Sequence, residues 1–319
     1  RSISALDSVG ALILWQACEG QPPAHVELRH EHAPLFRRWR ERSPDDDRVR
    51  FRHETLMDRL AKAGRSGVSH VTGLLALTGQ VTLDTLALAS RPRQFPLKDL
   101  SATIYQAGVK ALGITALVGF LIGIVLSYLS SLQLRSFGAE VFIVNILGLA
   151  IIRELGPLLA AILVAGRSGS AMAAQLGMMR LTEELDALTV MGIPHSVRLV
   201  LPKLAALAIA MPLLVLWTDV MALIGGMLSA KAALGISLNR FIEMLPNVVP
   251  IANLWIGLGK SVVFGLLIAM IACHFGLRIK PNTESLGLET TNAVVTSITL
   301  VILADAVFAI VFRGVGVAS

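Results

Sequence analysis

The segment that decides the fold covers residues 153–202 and reads RELGPLLAAILVAGRSGSAMAAQLGMMRLTEELDALTVMGIPHSVRLVLP. Its centre is a short charged stretch that lies between two apolar runs. Leucines recur at helical spacing from Leu181 to Leu188 and acidic residues fill the other side, so the pattern predicts a short amphipathic helix. A helix of about nine residues is roughly 14 Å long and cannot cross a bilayer. We therefore expect it to lie on the cytoplasmic membrane surface and to bind a partner.

The sequence also predicts where this helix begins and ends. Thr182 is the expected N-cap, Glu183 and Glu184 follow in the first turn where the helix dipole favours anions, and Gly192 with Pro194 supplies a stop signal. We call residues 181–192 the docking segment. Its expected contact residues are Leu181, Glu183, Glu184, Leu185, Asp186, Leu188, Met191 and Gly192. A solvated surface helix without a partner is the simpler alternative.

Three motifs in and before this segment carry a family resemblance. They are Arg-Glu-Leu-Gly-Pro at 153–157, Ala-Gly-Arg-Ser-Gly-Ser-Ala at 165–171, and Glu-Glu-Leu-Asp-Ala-Leu with Met-Gly-Ile-Pro between 183 and 194. In combination they resemble the signature of MlaE-type permeases over about residues 95–312. These permeases are the membrane subunits of ABC-type phospholipid transporters that maintain lipid asymmetry. Two residues depart from the family pattern, since Gln175 and Ile193 stand where we expect Glu and Asp.

The resemblance implies a function that depends on partner proteins. It implies a homodimer in the bacterial inner membrane, with two ATPase subunits docked on residues 181–191 and an MCE-domain protein on the outer face. A phospholipid would occupy the cavity between the two copies, and ATP-driven alternation of that cavity would move it. ATP would bind only to the partner subunit, so we expect neither a cofactor nor enzymatic activity in this chain.

Composition divides the chain into a polar and an apolar part. Apolar residues make up 54% of the whole, but residues 1–65 are rich in both acidic and basic side chains. We predict a partial STAS-like domain at 1–43, a charged linker and helix at 44–65, an interfacial helix region at 66–98 and a permease domain at 99–319.

The STAS resemblance depends on a short motif near the start of the sequence. Leu-Asp-Ser-Val-Gly at 6–10 opens a predicted helix, and a short strand and a second helix follow, which predicts a small α/β domain. The motif serine is phosphorylated in some STAS proteins, so Ser8 is a candidate regulatory site. A helix-capping serine is the simpler alternative.

Long apolar runs predict five membrane-spanning helices and a mainly α, polytopic fold. The runs cover residues 111–134, 141–166, 199–228, 253–277 and 290–312, and Gly156-Pro157 is expected to kink or break the second. Residues 68–89 mix leucines with Thr, Gln and Asp and are predicted to lie at the membrane interface. With the N-terminus inside, cytoplasmic helix ends hold ten Lys or Arg residues and outer ends hold four, which favours this orientation.

Charged residues at membrane depth form the second candidate site. Besides Asp219 they are Arg153, Glu154, Lys260 and Asp305. Each costs about 2.5 to 3.5 kcal/mol at the centre of a membrane helix, so we expect the four to face a cavity or one another. They would then bias the opening of the cavity or contact a lipid headgroup. Ion pairs that only hold helices together are the alternative.

Other chemistries find little support in the sequence. Residues 257–261 are similar to a phosphate-binding loop, but Leu254 replaces the required first glycine and the stretch is inside an apolar run. We predict no metal site and no nucleic-acid partner, because metal-ligand spacings are absent and the basic residues are dispersed. Two further functions stay open: a secondary anion transporter with a STAS domain, and a membrane scaffold that recruits a regulator.

Overall fold

A computed structural model describes residues 56–89 and 96–315 of the chain. The chain divides into two units, Arg1–Ser66 and Gly67–Ser319, and the description below concerns the second and the helix that leads into it. The predicted STAS-like domain, Ser8 and most of the charged linker lie outside the described residues.

All regular structure in the described ranges is helical. The α-helices are α1 (Leu56–Ala89), α2 (Leu97–Ala107), α3 (Leu112–Ser136), α4 (Ile143–Leu149), α5 (Gly156–Val164), α6 (Ser170–Leu181), α7 (Glu184–Val190), α8 (Leu201–Leu234), α9 (Leu238–Val248), α10 (Ile251–Arg278) and α11 (Thr283–Val311). Short 3₁₀ turns occur at Val109–Ala111 and Glu140–Phe142. Three π-helical turns occur at Ala150–Leu155, Ala165–Gly169 and Ser196–Val200.

By length and composition, 6 helical stretches of the described chain can cross a membrane. They are Gly67–Leu88, Leu97–Ser136, Glu140–Leu181, Ser196–Leu234, Ile251–Arg278 and Thr283–Val311. Five of them coincide with the predicted spans. The additional stretch, Gly67–Leu88, has the lowest mean hydropathy of the set, 1.3, and occupies the region where the sequence predicts an interfacial helix. The described residues thus hold six candidate spans, where the sequence predicts five spans and one interfacial helix.

Threonine hydroxyls within α1 are hydrogen-bonded inside the helix. Thr78, Thr82 and Thr85 each donate from Oγ1 to the backbone carbonyl four residues earlier, at 2.8, 2.8 and 2.6 Å. A hydroxyl that is satisfied inside its own helix costs less to place in lipid than a free one.

The second span continues through wide turns where the sequence predicts a kink or break. Pro157 lies in the first turn of α5, directly after the π-helical turn Ala150–Leu155. The wider turn changes the hydrogen-bond pattern before the proline. Because of this change, the N–H that Pro157 lacks does not end the helix. Helical structure consequently continues from Glu140 to Leu181.

Close contact between α3 and α8 organises the centre of the bundle. A Cβ on Gly119 would lie 2.9 Å from the Thr218 carbonyl oxygen, and a Cβ on Gly123 would overlap the backbone of Ala222. Gly225 faces the α3 backbone in the same way. Glycine is required here because any side chain would separate the helices. Helix α8 also packs against α10, which in turn contacts α6 and α11.

Candidate functional site

Four charged side chains from three parts of the fold meet inside the bundle. Arg153 and Glu154 belong to the first π-helical turn, Lys260 to the middle of α10 and Asp305 to α11. Lys260 Nζ lies 2.5 Å from Glu154 Oε2, 3.0 Å from Asp305 Oδ1 and 3.3 Å from the Arg153 carbonyl oxygen. We call these four residues the charge network. The residues predicted to lie at membrane depth thus contact one another.

Arg153 connects the network to the end of the last span. It donates from one terminal nitrogen to Asn253 Oδ1 at 3.0 Å and to the Val315 carbonyl at 2.7 Å, and from the other to the Phe312 carbonyl at 2.7 Å. The last carbonyls of a helix have no donor within that helix. Arg153 therefore acts as a side-chain cap for α11 and ties α10 and α11 to the π-helical turn.

The network is balanced in charge but unequal in exposure. It contains two cations and two carboxylates, so each buried charge has an opposite partner, as buried ions require. The Lys260 side chain is 0% exposed, whereas the side chains of Glu154 and Asp305 are 35% and 16% exposed. The carboxylates therefore form the accessible edge of the network, with the lysine behind them.

The glycine-rich stretch at 257–261 has a packing role in this site. It lies inside α10, and a Cβ on Gly257 would be 2.5 Å from the Ile152 carbonyl oxygen. This glycine allows the π-helical turn to approach α10 closely, and the lysine three residues later joins the charge network. The local structure is a continuous helix, whereas a phosphate-binding loop follows a strand.

Asp219 lies apart from the charge network. It is 3% exposed, and neither of its carboxylate oxygens has a hydrogen-bond partner among the described residues. It lies directly against Gly156, where a Cβ would overlap Oδ1. The structure thus brings together four of the five charges predicted at membrane depth and separates the fifth.

The docking segment differs from the prediction at its beginning. Leu181 ends α6, and Thr182 donates from Oγ1 back to the Met178 carbonyl at 3.1 Å, so it belongs to the end of α6. Glu183 follows with a left-handed φ of 61°, and α7 begins at Glu184. The prediction that Thr182 caps the short helix and Glu183 lies in its first turn was wrong, because Glu183 itself occupies the N-cap position and no side chain of the described residues caps α7. The predicted stop is confirmed, since Gly192 has a φ of 71°.

Helix α7 buries one residue and exposes most of the others. Leu185 is 1% exposed and anchors the helix, while Glu183, Glu184 and Asp186 are exposed. Val190 and Met191 expose 89% and 63% of their surface. The sequence analysis did not select Val190, although an apolar residue off the leucine face indicates an exposed contact residue. The outer surface of the docking segment therefore combines carboxylates with an apolar tip.

His195 holds the base of this surface in place. Its Nε2 lies 2.8 Å from the Leu185 carbonyl oxygen and 3.2 Å from Thr189 Oγ1. The imidazole thereby connects the residue after the turn to the first turn of α7 through the Leu185 carbonyl and to its last turn through the Thr189 hydroxyl.

Comparison with known proteins covers both candidate sites. A family model described as permease MlaE matches residues 100–311. A probable ABC transporter permease protein of Synechocystis is 31% identical over 241 residues, which are 75% of this chain and 90% of that protein. The intermembrane phospholipid transport system permease protein MlaE of Haemophilus influenzae is 32% identical over 234 residues, or 72% and 89% of the two chains. The chloroplast protein trigalactosyldiacylglycerol 1 of Arabidopsis thaliana is 32% identical over 212 residues, or 66% and 61%.

Proposed function

The chain belongs to the MlaE permease family, and from this premise we propose that it is the membrane subunit of an ABC-type phospholipid transporter whose ATP is hydrolysed by a separate subunit. The family match over residues 100–311 carries the proposal, and the phospholipid transport named for the Haemophilus relative supports the substrate class. Family membership favours this function over a secondary anion transporter or a scaffold. The helical stretches long enough to cross a membrane fit a multi-pass protein of the inner membrane.

The docking segment is proposed to bind the ATPase. Its exposed carboxylates and the apolar tip at Val190 and Met191 form a mixed surface of the kind that a protein partner covers. The excess of Lys and Arg at this end of the spans favours a cytoplasmic location for the segment and for the N-terminus. An ATPase subunit in the cytoplasm would meet it there.

The charge network is proposed to bind the lipid headgroup. The amine of a zwitterionic headgroup can pair with the carboxylates at the accessible edge, whereas a phosphate would reach the buried cations only when the network opens. Helix α11, which carries Asp305, also presents apolar side chains that suit acyl chains or a second copy of the permease. Among them are Val295, Ile302, Leu303, Val307 and Ile310. A homodimer with an MCE-domain protein on its outer face completes the proposed assembly.

One continuous helical path supports coupling between the two sites. The stretch Glu140–Leu181 carries Arg153 and Glu154 in its first half and ends at the docking segment. The path from Glu154 to Leu181 covers 27 residues, or about 40 Å at 1.5 Å per residue. We propose that movement of the docked ATPase shifts this helix and alters the pairing of the charge network, which alternates the lipid cavity.

Purification of the complex tests the proposal. We expect an ATPase subunit to co-purify with the chain when neighbouring genes are co-expressed, and phospholipid to be retained. Replacing Glu183, Glu184 and Asp186 together by Lys should remove the ATPase and leave the phospholipid in place, because these carboxylates lie away from the charge network. Among single changes, Glu184→Lys should weaken the complex, while Glu284→Lys, an exposed acidic control on α11, should not. A chain that transports lipid without any ATPase would contradict the proposal.

A further inference from the structure

Basic side chains line a cleft at the docking end of the bundle. The cleft has a volume of about 390 Å³, and its lining includes Thr103, Gln106, Lys110, Arg167, Gln175 and Lys203. It contains three cations, and none of its lining residues is acidic. We call it the cationic cleft. An adjoining cleft of about 270 Å³ shares Lys203 and Gln175 and adds Arg198 and Asp99, which already pair with each other at 3.2 Å.

Lys203 is the buried cation of the cationic cleft. It is 7% exposed, and its Nζ donates to Gln175 Oε1 at 2.8 Å. Within the described part of the chain no carboxylate forms an ion pair with it. A neutral amide satisfies a hydrogen bond but carries no charge, and the Asp99 carboxylate of the adjoining cleft is already paired with Arg198. The charge of Lys203 is therefore only partly compensated, which is costly for a buried ion. An anion in the cleft would offset that charge.

The cleft offers further donors to such an anion. Because Gln175 Oε1 accepts the bond from Lys203, the two N–H groups of its amide are left to donate to another acceptor. Lys110 and Arg167 are exposed, so their charged ends can reach a ligand that enters from outside. Three cations around one space match the charge and the several oxygen acceptors of a phosphate group.

The depth of the cleft fits a lipid headgroup. Lys110 lies in the 3₁₀ turn Val109–Ala111, between α2 and the span α3. Tyr105 and Val109 beside it expose 56% and 50% of their surface, and Lys110 Nζ lies 5.7 Å from the Tyr105 ring centre. Exposed aromatic and basic residues at the start of a span are typical of the membrane interface. The cleft therefore opens where the headgroups of a bilayer lie.

The cationic cleft is distant from the charge network. Gly276 of α10 packs against Leu176, the neighbour of Gln175, with its Cβ position 2.9 Å from the Leu176 Cβ. Lys260 lies sixteen residues earlier on α10, which corresponds to about 24 Å along the helix. A ligand in the cleft is thus separate from a headgroup at the charge network.

We propose that the cationic cleft binds a phosphate-bearing anion, which in the membrane is the headgroup of an anionic phospholipid. This site goes beyond the proposed function, since the bound lipid is additional to the transported one. It depends on that function only for the assignment of this end of the bundle to the cytoplasmic leaflet. Through Lys110, Arg167 and Lys203 the ligand connects the elements that precede and follow the docking segment.

Lipid retention in nanodiscs provides the main test. The full-length chain is reconstituted with phosphatidylcholine and a minority of phosphatidylglycerol, re-extracted in detergent, and examined for bound lipid by native mass spectrometry. We expect phosphatidylglycerol to be retained preferentially. Gln175→Glu should weaken this binding roughly tenfold to a hundredfold, because the new carboxylate pairs with Lys203 without removing any cation. The exposed pair Lys110→Gln with Arg167→Gln should act in the same direction. Lys98→Gln, an exposed cation of α2 outside the cleft, is the matched control.

Inorganic phosphate distinguishes a lipid from a free anion. In one outcome, phosphate raises the melting temperature of the lipid-depleted protein and Gln175→Glu removes this effect, although phosphatidylglycerol is not retained. That result would support the anion site and contradict its assignment to a lipid. Equal retention of both lipids together with no response to phosphate overturns the proposal. Equal behaviour of Gln175→Glu and Lys98→Gln overturns it as well. These measurements need no ATPase, so they remain informative even if the proposed transport function fails.

Discussion

The charge network and the cationic cleft are each built on a buried lysine, but the two lysines are paired differently. Lys260 forms ion pairs with two carboxylates, whereas Lys203 forms its hydrogen bond with a neutral amide and no ion pair with a carboxylate among the described residues. The first arrangement is balanced within the chain, and the second leaves a charge for a ligand to neutralise. The partner of a buried charge, more than its burial, therefore indicates its role.

Removal of Lys260 should have the largest effect on stability. Lys260→Met leaves Glu154 and Asp305 close together without the cation between them, so we expect a loss of about 3 to 5 kcal/mol in the free energy of unfolding. Titration with SDS in mixed micelles measures this quantity. Adding Glu154→Gln and Asp305→Asn to the same variant should recover most of the loss. Failure to recover would mean that packing, and not charge balance, accounts for the effect.

The same substitution at Lys203 should be much less harmful. Lys203→Met removes a cation without leaving an unpaired carboxylate, and the exposed Gln175 amide can bind water in its place. We expect a change of about 1 kcal/mol or less in the free energy of unfolding, in either direction. The same SDS titration, carried out beside Lys260→Met, checks it. Equal losses for the two variants would remove the distinction between the two sites.

The ion pair at the edge of the adjoining cleft should contribute least. Arg198 lies 3.2 Å from Asp99, but the two side chains are 53% and 43% exposed. Exposed pairs contribute about 0 to 1 kcal/mol, so Arg198→Gln should change the free energy of unfolding by less than about 0.5 kcal/mol. Its unfolding transition should overlay that of the unmodified protein at moderate salt. A loss of unfolding free energy comparable to that of Lys260→Met would show that the exposure of an ion pair does not predict its contribution to stability.

The sequence predicted the spans and the charged positions, but it could not predict the pairings. Apolar runs and the cost of buried charge are local properties, so they can be read from neighbouring residues. The partner of Lys260 on α11 is 45 positions away, and the partner of Lys203 is 28 positions away. Which residues meet across helices depends on packing, which a single sequence does not display.

Local hydrogen bonds of threonine hydroxyls are not visible in the sequence either. Thr78 and Thr82 donate to carbonyls of their own helix, which lowers the cost of placing Gly67–Leu88 in a membrane. Thr182 stays with the end of α6, and Glu183 takes the N-cap position of α7 without a side-chain cap. A threonine can cap a helix forwards or satisfy the helix before it, and the choice depends on the backbone. The effect of Pro157 on its helix likewise depends on the π-helical turn before it, and no pattern in the sequence indicates that turn.

The glycine contacts between α3 and α8 limit how the molecule can move. No side chain separates the two backbones at Gly123, so none can change rotamer to let one helix slide or roll past the other. The two helices consequently behave as a single rigid unit. Any alternation between inward and outward states has to take place around this unit, at contacts made by side chains, where a change of rotamer can accommodate the displacement.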